Sequence, residues 1–180
     1  MSAKTNDIRD RVVDFRRVRA EEIAVNPKNF RRHPNGQRDA LRGILKQIGV
    51  AGALLTYHSE RNGGQLTLID GELRKTDNPN LEWPVIVTDL KDEEADLLLA
   101  THDPLAAMAE TDKDALDLLL RDVSTGDADI QQMLSKLAED SGIIPPEISA
   151  PDAGESAYRE QYGVIVICAD EAEQEALNAK

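Results

Sequence analysis

An apolar run, Leu66-Thr67-Leu68-Ile69, passes directly into Asp70-Gly71-Glu72-Leu73-Arg74, and a second apolar run, Val85-Ile86-Val87, follows shortly after. Apolar runs this short, bounded by turn residues, are the mark of buried strands. The chain must therefore leave one strand through a charged glycine corner and return to the same sheet within a few turns of backbone. Aromatic residues make up only 3% of the chain against 41% hydrophobic residues, so the core is aliphatic.

The rest of the sequence supplies the other elements. Residues 12–18, VVDFRRV, alternate loosely and predict a strand. A proline-broken basic loop, NPKNFRRHPNG, covers 26–36. Leu41, Ile44, Leu45 and Ile48 follow helical spacing over 37–48, and Gly49 stops that helix. Residues 53–57 and 65–69 are read as a hairpin around ERNGG, and 84–89 as a further strand. Asp92 is expected to cap a helix starting at Glu93, with Leu97, Leu98 and Leu99 in its body. Pro104 suits the first turn of a separate short helix through Ala109. Thr111 is expected to cap a helix bearing Leu116, Leu119 and Leu120. A last helix near 127–139 carries Ile130, Met133, Leu134 and Leu137.

The expected organisation is a domain over residues 1–110, a helical extension over 111–140, a Pro/Ser/acid-rich linker over 141–156 and a strand-helix tail over 157–180. One strand and one helix cannot close a core of their own, so the tail reads as incomplete, or as packing on something else. Self-association or a protein partner held through it is expected. Cys168, the single cysteine, lies in the apolar run VIVICA and reads as a buried thiol, and no disulfide framework is possible. His33, His58 and His102 are far apart with no second ligand at helical spacing, so no zinc site is expected. No apolar stretch approaches a membrane span, and a cytoplasmic protein is the expectation.

Charge is uneven. Residues 1–50 hold twelve Lys/Arg and six acids, a net +6, whereas residues 51–180 hold nine bases and 28 acids, a net −19, within an overall −13. A chain so acidic repels the phosphate backbone, which argues against broad DNA coating but not against a small anion held by the basic part. Residues 111–139 carry only Lys113, Arg121 and Lys136 as bases. A recognition helix needs more than that, so direct sequence-specific DNA binding is not expected.

The charged corner has two readings. Asp70-Gly71 can be a plain turn with Glu72 and Arg74 as a solvated pair. Alternatively, free N–H groups at a helix start, together with Arg74, make an anion site. Asp70 and Glu72 then fit as ligands of a divalent cation that bridges them to phosphates. His33, beside Arg31 and Arg32, is either a phosphate contact or an ordinary surface histidine.

The succession IAVNPKNFRRHP, LRGILKQIGV, LTLIDGELR and WPVIVTDLKDEEADLLLATHDP resembles the ParB N-terminal / sulfiredoxin superfamily over roughly residues 14–140. It is most similar to the small ParB-like proteins of phages and mobile elements, whose signatures are Asp-Gly-x-Leu-Arg and Asp-Pro-Leu-Ala-Ala. The resemblance implies an α+β fold, a small mixed sheet flanked by helices, that binds a nucleoside triphosphate such as CTP or ATP with Mg²⁺. It implies phosphates on the Gly71 to Arg74 turn, Arg31 and Arg32 closing over them, and Thr101-His102-Asp103 at the opposite rim. Glu72 stands where sulfiredoxin has its catalytic cysteine, which excludes that chemistry, and Leu73-Arg74 replaces a pair of arginines. The expected function is a nucleotide-dependent switch or adaptor in phage or mobile-element DNA metabolism. Two rivals are an enzyme of the same pocket, with Glu72 as base or metal ligand, and an interaction module. The enzyme would be a nucleotide hydrolase, phosphotransferase or nuclease.

Overall fold

A computed structural model describes residues 8–144; the tail with Cys168, and all of the linker beyond residue 144, lie outside the described residues. The order of elements is β1 (Val12–Arg19), α1 (Asn35–Gln47), β2 (Leu54–Ser59), β3 (Gln65–Asp70), α2 (Glu72–Asp77), β4 (Glu82–Thr88), α3 (Asp92–Ala107), α4 (Lys113–Asp122) and α5 (Ala128–Asp140). The strands form one mixed sheet in the order β1-β4-β2-β3. β4 runs antiparallel to β1 and parallel to β2, and β2 and β3 are the antiparallel hairpin. This is the small mixed sheet flanked by helices that the resemblance implies.

Side-chain alternation along the strands divides the core between the two faces of the sheet. Leu54, Leu66, Leu68, Trp83, Val85 and Val87 fill one face together with Val18, Ala20 and Ile23, and Leu45 of α1 packs against them. Tyr57 and Ile69 point the other way, onto Ala95 and Leu99 of α3. The result is a sheet between α1 and α3. α5 returns across α1, where Gly43 allows close approach: a Cβ there would lie 2.6 Å from the Asp127 carboxylate. That carboxylate caps α5 by accepting from the N–H groups of Asp129 and Ile130.

Three local expectations are corrected. α3 does not stop before Pro104 but runs through it to Ala107. Only the carbonyl of Ala100 loses a donor, and Ala100 is solvent-exposed. Asp92 is not the cap of α3; Lys91 is, its N–H bonded to Glu94. The Asp92 carboxylate instead takes the Tyr57 hydroxyl, the Ser59 hydroxyl and the Arg61 N–H, tying the hairpin to α3. Bonds from Ser59 first, then from the Arg61 backbone and Tyr57, hold it below the usual carboxylate range despite desolvation. Finally, Asp112 rather than Thr111 caps α4, accepting from Ala115 N–H. No helix among the described residues is long and apolar enough to cross a membrane.

Candidate functional site

The corner after β3 is shaped by Gly71. Its φ of +102° is open to glycine and strained for other residues, and a Cβ there would meet Leu54 Cδ2 at 2.4 Å. The chain thus turns sharply off a buried strand into α2, a helix of six residues. α2 is tied to α1 by a forked pair: Arg42 donates from Nε and Nη2 to the two oxygens of Asp77, at 2.7 and 2.8 Å. Arg42, and more weakly Arg38, hold the Asp77 carboxyl below its ordinary range. The wall formed by α1 and the corner that starts α2 are therefore fixed against each other.

The loop before α1 forms the facing wall. Asn26 is buried and accepts from Lys28 N–H, and Asn29 accepts from Arg31 N–H, so two Asx turns in succession hold the loop. Asn29 Nδ2 also donates to Glu72 Oε2 across the cleft. Between these walls lies a cleft of about 390 Å³ lined by Asn29, Arg31, His33, Asp70, Gly71, Glu72, Arg74 and Asp103, with an apolar side of Ala40, Leu41, Ile44, Leu73 and Met133.

Four charged side chains alternate along the cleft, Arg74, Asp70, Arg31 and Asp103. Arg74 donates from Nη2 to Asp70 Oδ2 at 2.9 Å and from Nη1 to the Ala53 carbonyl at 3.2 Å. Arg31 reaches Asp70 Oδ1 at 3.6 Å and, from Nε, Asp103 Oδ2 at 2.5 Å. Asp103 Oδ1 in turn faces His102 Nδ1 at 3.2 Å. The Arg31 side chain is only 13% exposed, and its Nε makes no aligned hydrogen bond despite the nearby carboxylate. A largely buried guanidinium held by carboxylates can exchange them for the oxygens of another anion. Two arginines face three carboxylates, Asp70, Glu72 and Asp103. A free polyphosphate would meet net negative charge here, whereas a divalent cation with phosphates would not. Asp70, His102 and Asp103 place a ligand atom each within 4.8 Å of one another and could hold such a cation.

No protein-family model matches the chain, and no curated protein matches it. Solved structures similar to it include three of ParB proteins. One is the C-terminally truncated chromosome-partitioning protein ParB from Caulobacter crescentus complexed with CTP-gamma-S, at 18% identity and TM-score 0.49, over 73% of this chain and 72% of that one. A second is the Pnob8-like ParB-N domain, at 14% identity and TM-score 0.44, over 77% and 66%. A third is the Caulobacter crescentus protein complexed to the centromeric parS site, at 19% identity and TM-score 0.40, over 71% and 68%.

Of the residues singled out from sequence, Arg31, His33, Asp70, Gly71, Glu72 and Arg74 share the cleft. Arg32 is exposed and not among its lining residues, and His33 is turned to Gln37 Oε1 at 3.0 Å. Thr101 spends its hydroxyl on the Leu97 carbonyl at 2.8 Å, within its own helix. His102 reaches the rim through Asp103, while Glu72 is engaged with Asn29 and stands outside the Asp70, His102, Asp103 group. Asn29, Asp103 as a partner of Arg31, and Met133 were missed as individual residues. Asp103 had a signal in the family resemblance, which sets Thr101-His102-Asp103 at the opposite rim.

Proposed function

We propose that the cleft binds a nucleoside triphosphate with a divalent cation and acts as a nucleotide-dependent switch. What carries this reading is Arg31, a largely buried guanidinium held only by carboxylates and a carbonyl, set beside Arg74 and a carboxylate-histidine group suited to a cation. Mg²⁺ bound by Asp70 and Asp103 would supply charge neutralisation and orient the phosphates. Arg31 and Arg74 would then exchange carboxylate partners for phosphate oxygens, and the apolar side around Leu41, Ile44 and Met133 is suited to a base and ribose. The switch follows from the exchange: Asp103 lies in the last turns of α3 and Met133 on α5, so a ligand that recruits Arg31 changes how both helices are held. A role in phage or mobile-element DNA metabolism would follow from the sequence resemblance alone.

The test is thermal unfolding of the full chain with CTP, ATP, GTP and UTP, each with and without Mg²⁺. Binding to the folded state alone stabilises by about 2.7 kcal/mol at a hundredfold excess over Kd. We expect a rise in melting temperature for CTP or ATP, dependent on Mg²⁺ and lost in Arg31→Ala. Failure of all four nucleotides at millimolar concentration removes the reading. Hydrogen exchange with the active nucleotide should change protection across residues 90–140.

A further inference from the structure

The two edges of the sheet are finished differently. β3 is covered on its outer side by the segment after the first turn, where Ala24 forms a parallel bridge to Thr67 through bonds from Ala24 N–H to Leu66 O and from Leu68 N–H to Ala24 O. β1 has no such neighbour among the described residues. An open edge is a template for another strand. On this edge Phe15 is 67% exposed and Val13 is 61% exposed, although both belong to a strand whose Val18 is in the core.

Which backbone groups face outward follows from the ladder. Ala20 N–H bonds Leu81 O, and alternate residues of an antiparallel strand turn to the same partner, so Val18, Arg16 and Asp14 face β4. Phe15, Arg17 and Arg19 therefore offer their N–H and C=O groups to the free edge. The bulge between Val12 and Asp14 ends the regular stretch, so an added strand pairs over a short run around Phe15.

We infer that β1 pairs antiparallel with β1 of a second copy of this chain, with Phe15 on the two-fold axis, extending one sheet through both copies. Charge selects both the partner and the register. An axis at Arg16 or Arg17 sets an arginine opposite itself, and like charges directly opposed are destabilising. An axis at Phe15 sets ring against ring and places Asp14 opposite Arg16 of the second copy, twice by symmetry. Asp14 and Arg16 already meet within one strand, at 3.2 Å, so both are positioned at the edge. The inference does not depend on the nucleotide reading.

The experiment is size-exclusion chromatography with light scattering on the full chain, over roughly 1 µM to 1 mM. Wild type should dimerise within that range. Asp14→Arg and Arg16→Asp should each weaken the dimer at least roughly tenfold, and the double exchange Asp14→Arg/Arg16→Asp should restore it. Phe15→Lys should also weaken it while the melting temperature at low concentration stays unchanged, because Phe15 is exposed in the single copy. A monomer throughout the range overturns the inference. So does a dimer indifferent to all of these changes, or single variants that weaken it without rescue by the double exchange.

Discussion

Arg31 Nε lies 2.5 Å from Asp103 Oδ2, and the same guanidinium reaches Asp70 and the Leu99 carbonyl. One side chain from the loop before α1 thereby holds the last turns of α3 and the corner after β3 together. Its acceptors are the groups that a phosphate would have to replace. If the cleft takes a nucleotide, Asp103 competes with the ligand for Arg31. Asp103→Asn should then tighten nucleotide binding in the absence of added Mg²⁺, on the order of tenfold, the worth of one charge-assisted hydrogen bond. With saturating Mg²⁺ the gain should shrink or reverse, because Asp103 also offers a cation ligand. Calorimetric titration at both conditions reads this out, and a loss of affinity in both would remove the competition.

Gly71 makes the corner possible, and its substitution should be costly whatever the ligand. Gly71→Ala meets a left-handed backbone and a 2.4 Å approach to Leu54 Cδ2 at once. The backbone penalty and the overpacking together come to about 2–4 kcal/mol. Urea unfolding should show the midpoint falling with little change of slope. Leu54→Ala in the same chain relieves the clash but opens a cavity in the main core, so it should not recover the loss. A Gly71→Ala variant within 0.5 kcal/mol of wild type, roughly the range for an ordinary surface change, would mean the corner relaxes freely.

Much of this corner could be read in advance, and the reason is local. Apolar runs and Gly71 express their preferences over a few residues, so the strands and the turn follow from pattern, whereas α1 starts at Asn35, before the expected Gln37. The ionic partners of the cleft could not be read this way. Arg31 and Asp70 are 39 positions apart, and Asp103 a further 33. Nothing in their neighbours says which arginine meets which carboxylate, so Arg32 looked as good as Arg31. Arg42 and Asp77 were overlooked for the same reason. Pro104 misled in the opposite direction: its local preference for a helix start was overridden by a helix already formed and an exposed carbonyl.

Glu72 separates a switch from an enzyme. Its carboxylate accepts from Asn29, and glutamine keeps a carbonyl oxygen for that bond. Glu72→Gln should therefore leave the fold intact and nucleotide affinity within about threefold, no more than one ordinary hydrogen bond. Under the switch reading, wild type and variant show the same slow or absent turnover of the bound nucleotide. Turnover by wild type that the variant loses by about 100-fold or more, the scale of general base catalysis, would reassign the cleft as catalytic.

Acid should loosen the seam between β1 and α3. Arg11 donates to both oxygens of Glu94 and to Asp89, bridging the start of β1 to the end of β4 and the start of α3. Bonds from Arg11 first, and then from Lys91 N–H, lower the Glu94 carboxyl to about 2. A carboxyl depressed in the folded state binds fewer protons there than in the unfolded chain. Its contribution is therefore fully present above its ordinary value of 4.5 and is lost as pH falls toward 2. Asp77, Asp92 and Asp96 are also lowered, by Arg42, Ser59 and Arg61 respectively, and add to the same slope. Denaturation midpoints measured from pH 7 downward should be nearly flat to about pH 5 and fall steeply below it. Glu94→Gln should lower stability at pH 7 and flatten the fall between pH 5 and 2, because the group that takes up the proton is gone. A variant with the same slope as wild type would show that Glu94 is not paired with Arg11 in solution.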